Sequence, residues 1–236
     1  MGLDVYVGSL TRYYTHDWET VVQRAGREGR FPVEVVRQHE PEDVVTDPVI
    51  IRDAVVTWRA QLSAALAGSL NEPLDWREDA GAPYFTDKPA WDCYSDLLLW
   101  AAHEEHPALK RPQSCVEDWS TDEAYRLSSS AKSDTRYPNL LKGTEWWLPA
   151  ELPFVFSAAD LCGADAVFGS SVRLAAELSE LNSRTWKADQ DTLVAWRRNG
   201  ADYGSPLEVG ARFAFAVFDG LAREATHHRL VMKLDY

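Results

Sequence analysis

The chain has 236 residues, 45% apolar and 26% charged, a composition that supports a real hydrophobic core and excludes a disordered, collagen-like or low-complexity chain. Thirty-seven Asp and Glu against 24 Lys and Arg leave a formal charge of −13, the wrong sign for a nucleic-acid binder, whose affinity comes largely from neutralising phosphates. No apolar run is long enough to cross a membrane, and no Lys or Arg precedes the first apolar stretch as in a secretory leader, so a cytoplasmic protein is expected.

Leu3-Asp-Val-Tyr-Val7, ended by Gly8 and Ser9, alternates as a first strand. Thr15 to Gly26 reads as a short helix with Thr15 as its cap and Trp18, Val21, Val22 and Ala25 on one side. Phe31 to Val36 is a candidate edge strand, because Pro32 cannot donate to a ladder, and an acidic turn, Glu40 to Asp43, follows it. Asp47-Pro48 then places a capping acid before a proline suited to a first helical position. Ile51, Val55, Trp58, Leu62, Leu66 and Leu70 recur behind it at helical spacing.

A polar loop, 71–88, leads to a second strong helix between Pro89 and His106, stopped by Pro107. Ser120-Thr-Asp-Glu123 has the form of a capping box, and the small polar residues near 128–137 suggest a mobile loop. Trp146 to Leu148 and Phe154 to Phe156 are short aromatic runs expected to be extended. Ser171 and either Asp189 or Asp191 offer caps for two further helices, and Ser205-Pro-Leu-Glu208 offers a capping box for a last one. That last helix is apolar on nearly all sides from Val209 to Leu221 and should lie centrally; Leu230 to Leu234 closes the chain as a strand. Strands at both ends with helices in runs between them predict one helix-rich α+β domain. Its small, mainly antiparallel sheet should hold both the first and the last strand.

No assembled reactive centre is legible. The chain lacks G-x-S-x-G, G-x-G-x-x-G, P-loop and EF-hand patterns, so neither a catalytic set nor a cofactor is predicted. Cys93, Cys115 and Cys162 are odd in number and far apart, which suits neither a disulfide framework nor a zinc knuckle. His103 and His106 are the weak metal candidates; they stand three apart with Glu104 and Glu105 between them, not at the spacing of a zinc-protease helix. The bland alternative is a solvated helix end.

Two aromatic clusters look more like recognition surfaces: Tyr13, Tyr14, His16, Asp17 and Trp18, and Glu145 with Trp146 and Trp147. Trp and Tyr are favoured interface anchors, and adjacent tryptophans on an extended chain point to opposite sides, so at least one is hard to bury. Core packing is the competing reading of each. Residues 1–118 hold 21 acids against 11 bases, while 119–236 hold 16 against 13, so the negative field is weighted to the first half. An acidic face of that kind would steer a basic partner.

The opening MGLDVYVGSLTRYYTHDWE resembles the N-terminus of a group of uncharacterised bacterial proteins, and the closing LVMKLDY resembles the end of the same group. That resemblance implies no activity and no site residue. In size, acidity and aromatic content the chain is also similar, as a class, to acidic immunity proteins. The expectation is therefore a non-catalytic cytoplasmic protein that binds a basic protein partner. An enzyme whose His and carboxylates converge only in the fold is the alternative, recognisable by a pocket where a His meets two carboxylates.

Overall fold

A computed structural model describes residues 3–29, 47–114 and 118–236. The candidate strand Phe31–Val36, the acidic turn Glu40–Asp43 and Cys115 lie outside the described residues. The described chain runs β1 (Asp4–Gly8), α1 (Leu10–Tyr14), α2 (Val21–Arg27), α3 (Pro48–Leu66), β2 (Phe85–Asp87) and α4 (Trp91–Glu105). A 3-10 turn at Trp119–Thr121 precedes α5 (Glu123–Ser129) and α6 (Pro138–Leu141). Then come β3 (Trp146–Leu148), β4 (Phe156–Ala159), β5 (Asp165–Ser170), α7 (Ser171–Arg184), α8 (Gln190–Asn199), α9 (Leu207–His228) and β6 (Val231–Asp235).

The six strands among the described residues form one sheet in the order β2-β1-β6-β3-β5-β4, in which the β3–β5 pair is parallel and the other pairs are antiparallel. The first and last strands are neighbours, with Val5 opposite Leu234 and Tyr6 opposite Lys233. This is the predicted α+β architecture of one domain. Alternation along the central strands sends residues to two cores. Val5, Val7, Trp147, Met232 and Leu234 face α4, α7 and α9, while Trp146, Leu148, Phe168 and Val231 face Ile51, Val55, Trp58 and Leu62 of α3. α9 is covered by α4, α7 and α8, as its all-round apolar surface requires.

Several caps sit elsewhere than predicted. The helix expected over 15–26 is α2, which starts later than predicted because Thr20 with Gln23, not Thr15, forms its capping box, and α1, capped by Ser9, ends before Thr15 and was not predicted. Asp122 rather than Ser120 caps α5, and Ser170 rather than Ser171 caps α7. Asp47 caps α3 as predicted, and of the two candidates Asp189 and Asp191 it is Asp189 that caps α8. At α9 the residue before the helix is Pro206 and no side chain caps it. Leu207 N–H donates to Gln113 O at 3.0 Å and Ser114 bridges Pro206, so a long-range pairing holds this segment extended and displaces the local box. β2 and β5 have no counterpart among the predicted strands. Residues 128–137 are gathered by α4: Glu105 accepts from Ser128 Oγ at 2.6 Å and Thr135 Oγ1 at 2.9 Å, and Tyr137 Oη donates to Glu104 at 2.7 Å.

Candidate functional site

The two aromatic clusters meet around one lysine. Register places Lys233 of β6 beside both Tyr6 and Trp146 on the sheet face turned to α3. Ser9 starts α1 immediately after β1, which folds Tyr13 back over the sheet. Lys233 Nζ donates to Tyr13 Oη at 2.9 Å and lies 4.7 Å from the Tyr13 ring centre and 5.2 Å from that of Trp146. Tyr13 Oη in turn donates to Asp235. Trp18 stacks on Tyr13 with centroids 5.7 Å apart, and its indole N–H donates to the Tyr13 carbonyl at 3.3 Å.

Burial pushes the Tyr13 phenol up, with Asp235 adding to it, and pushes the Lys233 ammonium down. Tyr236, whose hydroxyl donates to Glu145, is pushed up to about 12 by burial and by that carboxylate.

The convergence turns inward, against expectation. Trp146 and Trp147 are both buried, one in each core, because helices cover both faces of the sheet; alternation leaves neither ring outside. Tyr13, Tyr14, Trp18 and Glu145 are half-buried, and only His16 and Asp17 of the predicted set are exposed.

A cleft of about 700 Å³ opens where the first turn of α4 meets the 202–205 loop and the first turn of α9. Trp91, Trp119 and Tyr203 wall it, and Asp92, Asp96 and Asp202 supply its charge. Among the described residues no Lys or Arg lines it, so its formal charge is that of the three aspartates. Asp96 is buried, whereas Asp92, Asp202 and Tyr203 are exposed, Tyr203 at 95%. Such a mouth of rings above carboxylates is complementary to a guanidinium or ammonium group. Sequence reasoning missed it because Asp92 and Asp202 stand far apart in the chain; each looks like an ordinary surface acid.

His103 and His106 do not share a site. His103 is buried with Nε2 at 3.1 Å from Asp122 Oδ2, and His106 Nε2 lies 3.1 Å from Ser128 Oγ. No group of three or more His, Cys, Asp or Glu able to hold a metal ion occurs among the described residues. His103 does line a second cleft, of about 430 Å³, with Glu104, Arg111, Arg184 and Glu208. The described residues include no helix long and apolar enough to cross a membrane. No protein-family model, no curated protein and no solved structure matches the chain.

Proposed function

We propose that this chain is a non-catalytic binding protein that takes a basic segment of another protein into the acidic, ring-walled cleft between α4 and α9. The observation that carries the reading is the lining of that cleft: three aspartates and three aromatic rings, with no basic side chain among the described residues. The surplus of acids in residues 1–118 adds long-range attraction, which raises the rate of encounter more than the affinity itself. The anchors are the exposed Tyr203 and the half-buried Trp91 and Trp119, which wall the cleft, in place of Trp146 and Trp147, whose core rings no partner can desolvate, and of the half-buried Tyr14, which does not line it. The same reading makes the protein a cytoplasmic, immunity-like neutraliser of a basic protein, with nucleic acid disfavoured as a partner by the charge of −13.

Titration of the purified chain with an arginine-rich peptide, followed by tryptophan fluorescence at low and at physiological salt, tests this. Saturable binding that weakens with salt and is lost in the D92N/D202N/Y203A variant is expected. Absence of saturation at low salt, or equal binding by the variant, overturns it.

A second reading, an enzyme with dispersed His and carboxylates, is supported by one observation: His103, Glu104 and Glu208 line a single cleft, and Asp122 orients the imidazole. Both glutamates are already engaged by arginines, Glu104 by Arg184 at 2.7 Å and Glu208 by Arg212 at 2.5 Å, which makes them poor acids or bases. A turnover that survives H103Q, found in a hydrolase substrate screen, removes this reading.

A further inference from the structure

The second cleft holds a cation with no directly bonded opposite charge among the described residues; Glu208 and Glu104 of the same lining act on it only through space. Arg111 lies with its guanidinium carbon 3.8 Å from the Trp100 ring centre. It makes no hydrogen bond or ion pair with a described residue, and burial lowers its pKa. The other charges of the lining are neutralised: Glu104 accepts from Arg184 and Tyr137, and Glu208 accepts from Arg212 and from Trp186 Nε1 at 3.2 Å. Two buried N–H groups of the lining, Trp100 Nε1 and Arg111 Nε, have no acceptor, and His103 Nδ1 is a third buried nitrogen without a partner. Apart from Thr185, the rest of the wall is built of Trp100, Pro107, Leu109 and Trp186.

We propose that this cleft binds a small organic acid, with its carboxylate against the terminal N–H groups of the Arg111 guanidinium and its apolar body on the Leu109 and Trp186 side chains. A planar guanidinium stacked on an indole is preset for a carboxylate, because stacking holds the donor plane without using its N–H groups. The volume of about 430 Å³ suits a ligand of one ring or a short chain. The proposal does not depend on the basic-partner reading, since the two clefts share no lining residue.

The test is titration of the full chain with benzoate, benzamide and inorganic phosphate, read by tryptophan fluorescence and by saturation-transfer NMR of the ligand. Benzoate should saturate and bind about tenfold tighter than benzamide, which lacks the charge, and than phosphate, which lacks the apolar body. R111M should lose about the same factor, while D92N/D202N should leave benzoate binding unchanged. If R111M does not fold, the benzoate–benzamide ratio on the native chain still decides. No saturation by benzoate, equal binding of benzoate and benzamide, equal binding of benzoate and phosphate, or an R111M variant that binds as well as the native chain each overturns the proposal.

Discussion

Gly210 of α9 lies directly against Asp96 of α4: a Cβ on Gly210 would stand 2.1 Å from Asp96 Oδ2, closer than any side chain tolerates. The glycine is thus what lets a buried carboxylate reach the floor of the acidic cleft beside the first turn of a 22-residue helix. A carboxylate near a helix N-terminus is favoured by the helix dipole, and α9 has no side-chain cap of its own.

Replacing Gly210 by Ala should therefore destabilise the protein by about 1–3 kcal/mol although alanine is the better helix former. Adding D96A to G210A should recover part of that loss, because the clash disappears with the carboxylate. Urea unfolding of the two single variants and the double variant measures the coupling. Purely additive losses would refute the steric account.

Glu177 gives the protein a pH dependence. It is buried on α7 and accepts from Asn139 N at 2.9 Å and Asn139 Nδ2 at 2.5 Å. Burial nevertheless outweighs these bonds and pushes its pKa up to about 8, from an ordinary 4.5. A carboxyl whose pKa is raised on folding stabilises the protein fully below its unfolded value, and that contribution is lost as pH rises through the folded one. Stability from this group should fall between about pH 4.5 and pH 8. In E177Q, which keeps an acceptor for Asn139, the slope of the urea midpoint against pH should flatten over that window.

Trp147 is buried, and its indole N–H donates to Asn139 O at 2.8 Å, tying β3 to α6. W147A should cost about 3–5 kcal/mol, through the cavity and the orphaned carbonyl together. W147F keeps most of the volume but not the donor and should fall between the two. A change within 1 kcal/mol for W147A in urea unfolding, on a scale of about 3–5, would mean that the ring is not core.

Lys233 and Tyr13 should behave as one unit. K233M removes the ammonium held between two rings and leaves Tyr13 with Asp235 alone; a loss of about 1–3 kcal/mol is expected. Y13F removes the shared hydroxyl, and the double variant should lose less than the sum of the two. Strict additivity in a thermal-melt cycle would show that the contact contributes nothing.

Much of the fold was legible because its signals are local. Asp47-Pro48 with apolar residues at helical spacing specified α3, and the all-round apolar stretch from Val209 to Leu221 specified a central helix. Local patterning specified β1 and β6 as strands, and their pairing, expected from the α+β arrangement, is present in the sheet. Helix starts were less legible where a long-range bond competes with a local cap, as at Pro206, or where several small polar residues stand in a row, as at Ser170 and Ser171. The aromatic clusters were found for their ring content, yet their burial was not, since it depends on α3 covering the second face of the sheet.

The order of residues by itself determined the acidity, the α+β class, the strands near the two ends and most helices. Each of these follows from composition or from a period of two or of three to four residues. Only the tertiary structure decided which groups meet: Lys233 with Tyr13, Asp96 with Gly210, Arg111 with Trp100. These contacts join segments that are separate in the chain, and no periodicity records which polar group will be brought beside which once the two cores close.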